Sequence, residues 1–125
     1  MTFNDLTIAK AVLAARVDRE AANIRLSIVE TQDAAKIMVL DQKYSIAQAA
    51  VAGDQQAMQM LAPEASGRGL TPIALAQLIV QKGTRWRDLG LAIEAAAGAH
   101  KTAISQLTSL ADANAYDVKT GWPET

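Results

Sequence analysis

The chain has 125 residues, with 12 basic against 13 acidic side chains, one His and no Cys, a size that fits one domain with a modest core. A net charge of -1 gives no electrostatic footprint for nucleic acid or for an anionic membrane. Without Cys there is no disulfide framework, no thiolate nucleophile and no thiolate-bound metal.

Half of the residues are apolar, yet 26 of them are Ala and only 29 are Leu, Ile, Val or Phe. Alanine has the highest helix propensity and buries little area, so the composition predicts helices with thin core faces. No apolar run approaches the roughly 18 residues of a membrane span. Met1–Asp5 lacks a basic region leading into an apolar stretch, so no secretory signal is expected.

Residues 1–52 contain neither Gly nor Pro. Asn4 is the expected cap of a first helix, with Asp5 favourable beside its positive end. Leu6, Leu13, Val17, Ala21, Ile24 and Ile28 then share one helical face. Leu26, Val29, Ile37, Leu40, Tyr44, Ala47 and Val51 form a second stripe, out of phase with the first. The phase changes around Glu30–Asp33, which leaves two readings open: two helices or one bent helix, and a single long helix whose contact face rotates.

Gly53-Asp54 ends this region, and Asp54 is a good cap for a short helix through Met58 and Leu61. Pro63 is expected to interrupt or restart it, and Gly67-Arg68-Gly69 to make a turn. Thr71-Pro72 is the clearest helix start, a capping hydroxyl followed by Pro at the first helical position. From there a 3.5-residue stripe runs through Leu75, Ile79, Lys82, Trp86, Leu89, Ile93, Ala96, His100, Ile104 and Leu107, predicting a long helix over about 72–107. Gly83, Gly90 and Gly98 lie inside it. Each costs about 1 kcal/mol against Ala in a helix, which points to close backbone contact with a neighbour, or to simple tolerance in an Ala-rich helix.

Thr108 is the expected cap of one more short turn, Leu110 to Ala115. Residues 116–125 have lost helical period and gained Gly and Pro, so they read as an extended tail. The expected class is therefore all-α: long Ala-rich helices packed as a hairpin, a small bundle or a coiled coil. In chain order the segments are 1–53, with a break near 30–33, then 54–115, then 116–125.

Little in this pattern carries chemistry. His100 is the sole histidine and holds a stripe position, where a hydrogen-bonded, partly buried imidazole is expected. Glu94 falls on another face of the same helix, so no acid and base pair around a substrate. Gly67-Arg68-Gly69 has neither a preceding strand nor the Lys and Ser/Thr of a phosphate loop. The charged segment Lys82–Asp88 reads as a solvated face with the Trp86 ring turned inward, and Met38, Met58 and Met60 as core filler. No catalytic, cofactor-binding or metal-binding residue is assigned. Trp122 is either tucked over its own helices or an anchor for a partner. Trp122, Pro123, Tyr116 and Trp86 are the candidate partner-contacting residues.

The stretch Leu61-Ala62-Pro63-Glu64-Ala65-Ser66-Gly67-Arg68-Gly69-Leu70-Thr71-Pro72 through Arg85-Trp86-Arg87 resembles small tail-region proteins of tailed bacteriophages and prophages. So do Ala99-His100-Lys101-Thr102-Ala103-Ile104 and the Asp117–Pro123 tail, and the likeness covers about residues 60–123. This resemblance implies a non-catalytic role with a tail-fibre or baseplate protein, either as a fibre chaperone or as a virion component. It also implies a location in the virion tail or, during assembly, in the host cytoplasm. The other reading is a helical oligomeric adaptor or regulatory module. In both, contacts with a protein partner or with sister copies replace chemistry, and neither nucleic acid nor a membrane is expected as a partner.

Overall fold

The structure is a computed structural model and describes residues 2–28 and 34–124. Among these residues it is all-α with no strand, as the composition predicts: α1 (Leu6–Ile28), α2 (Ala34–Val51), α3 (Gln55–Gly67), α4 (Pro72–Ser105) and α5 (Leu110–Ala115). α1 ends at Ile28 and α2 starts at Ala34. The expected joint at Glu30–Asp33 lies outside the described residues. The helices gather into two compact units, a terminal one (Met1–Val29 with Asp88–Thr125) and a central one (Glu30–Arg87). The terminal unit is discontinuous in sequence and the central one continuous, whereas a division at residues 53 and 115 follows chain order.

In the terminal unit α1 runs antiparallel to the second part of α4. Lys10 Nζ donates to the Ser105 carbonyl at 3.0 Å, Asp18 pairs with Lys101 at 2.7 Å, and Arg25 pairs with Glu94. Between them lie Leu13, Val17 and Ala21 of the first stripe against Ile93, Ala97 and Ile104. The cap of α1 is Asp5 rather than Asn4: its Oδ1 accepts from the Ile8 amide at 3.0 Å, and its carbonyl from Ala9 at 2.9 Å. One residue further on, the cap reaches the donors that Asn4 cannot. α5 packs on α1 through buried Ala113. Its cap is Ser109, whose Oγ accepts from Asp112 N at 3.1 Å, not Thr108. The Asn114 amide ties down the amino-terminal segment: Oδ1 accepts from Phe3 N at 2.8 Å and Nδ2 donates to the Phe3 carbonyl at 3.4 Å.

In the central unit α2 and α3 form a tight antiparallel hairpin. Gly53 adopts φ +103°, its amide donates to the Ala50 carbonyl and that of Asp54 to the Ala49 carbonyl, both at 3.0 Å. This is a Schellman turn, which needs a left-handed residue at the position Gly53 fills. Asp54 then turns round to cap α3, accepting from Ala57 N at 3.0 Å. Pro63 does not interrupt α3 but sits inside it. It and Gln59, whose carbonyl loses a donor, are both exposed, so water can meet the freed carbonyl and limit the cost. Gly69, at φ +71°, closes a second Schellman turn with Leu70 N donating to the Ala65 carbonyl at 2.8 Å. Thr71 Oγ1 caps α4 at Ala74 N, 3.2 Å, with Pro72 at the first helical position.

The small core of this unit is Ala47, Ala50, Ala57, Leu61, Ala65, Leu75 and Ala76. Val29 lies outside the described residues; of the rest of the second stripe only Tyr44 and Ala47 are buried, and Ile37 and Val51 are more than 40 % exposed. Leu26, also exposed, belongs to α1. Ala50 rather than Val51 faces inward because α2 lies close against α3, where a methyl fits and a branched side chain does not. Met38 and Met60 are exposed instead of filling the core; at about 100° per residue Met38 points half a turn away from buried Ala47.

The α4 stripe serves both units, Leu75 in the central one and Ile93, His100 and Ile104 in the terminal one. Lys82 is exposed, and Leu107 falls beyond the helix, which stops at Ser105. Gly83 meets the expectation of close contact, because an added Cβ would overlap the Tyr44 ring. At Gly90 and Gly98 it would meet nothing within 4 Å.

Candidate functional site

The candidate residues fall into two groups, one in each unit. In the terminal unit residues 116–123 are not extended but fold back onto α4. Asp117 Oδ1 accepts from Lys119 N at 2.9 Å, forming an Asx turn, and Gly121 takes φ +80°. This turn brings the tail round His100, which is 8 % exposed. His100 Nε2 donates to the Thr120 carbonyl at 2.7 Å, a partner that can only accept. In the neutral ring Nδ1 is then the acceptor, and the Tyr116 hydroxyl donates to it at 2.6 Å. Trp122 stacks on the imidazole with centroids 5.3 Å apart and planes 28° apart, while Tyr116 meets it edge-on. Trp122 Nε1 donates to the Val118 carbonyl at 2.7 Å. Burial pushes the Tyr116 hydroxyl above its usual pKa, because the phenolate would lose its hydration. Of the two readings left open for Trp122, the geometry is the tucked one. Pro123 is half-buried beside it.

Trp86 belongs to the central unit. It lines a groove of about 710 Å³ between the first half of α2 and the part of α4 around Leu78–Arg87. Tyr44 anchors this junction: its ring lies on the backbone at Gly83 and its hydroxyl is 3.2 Å from Thr84 Oγ1. Arg87 covers the ring at 3.7 Å and pairs with Asp41 at 2.9 Å. Trp86, expected to turn its ring inward from the charged Lys82–Asp88 segment, lines this open groove and is part of neither buried cluster. The apolar lining includes Ile37, Met38 and Leu78, which are 42 %, 66 % and 47 % exposed. Lys36, Lys43, Arg68, Lys82 and Arg87 also line it, with Asp41 as the sole acid among the described lining residues. At one side Glu64 links Lys43 (2.5 Å) to Arg68 (3.2 Å), and the two cations hold its carboxyl below the usual carboxylate range.

Reading the sequence missed this groove. The available signal was the run Ile37-Met38-Val39, apolar on successive positions and therefore unable to face one core. Its five cations are dispersed along the chain and become a cluster only in three dimensions. Among the described residues no group of three or more His, Asp or Glu side chains could hold a metal ion. Nor is any helix there long and apolar enough to cross a membrane. Comparison with known proteins finds no matching family model, curated protein or solved structure. The class defined is therefore one of architecture alone, an all-α chain of two compact helical units.

Proposed function

We propose that the protein is a non-catalytic binding protein whose working surface is the groove of the central unit. The observation that supports this most is a trough between α2 and α4 in which Ile37, Met38 and Leu78 are exposed together and which no described residue covers; large exposed apolar patches rimmed by polar residues mark interaction sites. The same groove is rimmed by side chains that can pair with charge on a partner, and interfaces commonly join an apolar centre to a polar rim.

The biological setting that the resemblance over about residues 60–123 suggests is assembly of a phage tail. There the protein would act as a helical partner of a fibre or baseplate protein, covering a surface that otherwise aggregates or fixing an attachment angle. An affinity-tagged copy made in phage-producing cells tests this. Co-purification with a large fibre protein supports the chaperone form, and presence in purified particles supports the structural form. Absence from both overturns the tail assignment.

A further inference from the structure

We infer that the folded-back tail, residues 116–124, is a latch that opens while the helices stay folded, and that His100 is the residue that fastens it. The inference concerns the terminal unit and is independent of the binding role given to the groove.

The polar attachment of the tail runs through one side chain. Its first residue still belongs to the end of α5, the Tyr116 amide donating to the Ala113 carbonyl at 3.3 Å. Among the described residues every other hydrogen bond that leaves the tail ends on His100. The Tyr116 hydroxyl meets Nδ1 at 2.6 Å and the His100 carbonyl at 3.5 Å, and the Thr120 carbonyl meets Nε2 at 2.7 Å. The remaining bonds stay within the tail: Lys119 N to Asp117 Oδ1, Thr120 Oγ1 to the Asp117 carbonyl, and Trp122 Nε1 to the Val118 carbonyl. The tail therefore needs to give up only the His100 bonds and its apolar contacts to lift off.

Those apolar contacts are shallow. Tyr116, Val118, Trp122 and Pro123 are half-buried and the other residues of the tail exposed, whereas Leu13, Val17 and Ile93 between α1 and α4 are fully buried. A segment with few buried contacts opens at a free energy well below that of the whole domain. With the tail lifted, α1 and α4 keep Leu13, Val17 and Ala21 against Ile93 and Ala97. What the latch controls is Trp122. Closed, its indole face lies on the imidazole; open, that face and both ring nitrogens of His100 are uncovered. The closed form thus withholds an aromatic side chain of the type that anchors interfaces.

Trypsin reads the opening, because cleavage follows the population of locally opened chain. Lys119 lies in the tail, and Lys101 lies within α4. In the whole protein, cleavage after Lys119 should be at least about tenfold faster than after Lys101. Its urea dependence should be less than about half as steep, since lifting the tail exposes little surface. His100→Phe keeps a ring under Trp122 and removes both ring hydrogen bonds, so it should speed Lys119 cleavage by about tenfold or more. Tyr116→Phe removes one and should speed it about fivefold. Far-UV circular dichroism should remain that of the native helices in both.

Cleavage after Lys119 and Lys101 at one rate and with one urea slope overturns the inference, because the tail then opens only when the unit unfolds. Lys119 cleavage that neither variant changes also overturns it, because the imidazole then fastens nothing. Should His100→Phe fail to fold, Tyr116→Phe decides the matter.

Discussion

The contact between Gly83 and Tyr44 predicts that one substitution has opposite signs at two places on one helix. Gly98→Ala adds a methyl where nothing lies within 4 Å and removes the flexibility of a helical glycine, a gain of about 0.5–1 kcal/mol. Gly83→Ala gains the same helix propensity, but its methyl would occupy the space of the Tyr44 ring. Overpacking of that kind costs about 1–3 kcal/mol. Moving the ring also gives up the Thr84 hydrogen bond, about 1 kcal/mol, and the Arg87 stacking, about 0.5–1 kcal/mol. The net expectation is a loss of about 2–3 kcal/mol.

Urea unfolding followed by circular dichroism reads both effects. With a slope of about 1–3 kcal/mol per molar urea, the two variants should move the midpoint in opposite directions by amounts well outside error. A second pair isolates the cause: in a Tyr44→Ala background, Gly83→Ala should become neutral or stabilising. Gly83→Ala raising stability in the wild-type background, as Gly98→Ala does, would refute the close approach of α2 and α4.

Trp122→Ala should destabilise the terminal unit by about 2–3 kcal/mol in the same assay. A Trp side chain offers about 150–250 Å² at about 25 cal/mol per Å², reduced because Trp122 is only half-buried and the unfolded chain already covers some area; a loss below 0.5 kcal/mol would mean an undocked tail. Glu64 predicts an acid-side loss. Its carboxyl is lowered below 4.5 by Lys43 first and then Arg68, so its stabilisation is fully present above that value and disappears as pH falls through the lower folded one. Glu64→Gln should flatten that part of the pH–stability curve, and an unchanged curve would refute the role given to the Lys43 and Arg68 pairs.

What was legible in the sequence was whatever local chemistry decides. Thr71-Pro72 and Asp54 cap where they were expected because a side-chain acceptor two or three residues before free amides works in any context. The 3.5-residue stripe of α4 placed Leu75, Ile93, His100 and Ile104 correctly, since each is buried. Expectations went wrong where alanine carries the packing. Among the described residues nine of the seventeen buried apolar side chains are Ala, and a pattern search weighted to large residues joins Ile37 and Val51 to Tyr44 and Ala47 on the face of α2 and passes over Ala50. Caps at Asp5 and Ser109 slipped by one because Asn4 and Thr108 are equally good acceptors; which of two neighbours caps depends on where packing starts the helix. Pro63 was read as a breaker because the sequence does not reveal that its side of α3 is exposed.

That alanine-rich interior bears on which candidate residues remain available to a partner. Helices that approach over methyl groups leave no room between them for large side chains, so large apolar residues are displaced outward, Ile37, Met38 and Leu78 among them. Where they collect beside Trp86, the result is a trough that no described residue covers. Around His100 the same composition has a different outcome. Both imidazole nitrogens, the Tyr116 hydroxyl and the Trp122 indole N–H have partners within the terminal unit, and the Trp122 face is stacked on the ring. A partner taking Trp122 would have to break these contacts first, whereas one entering beside Trp86 would meet Ile37, Met38 and Leu78, which are already exposed. Interaction energy gained without a prior loss favours the groove.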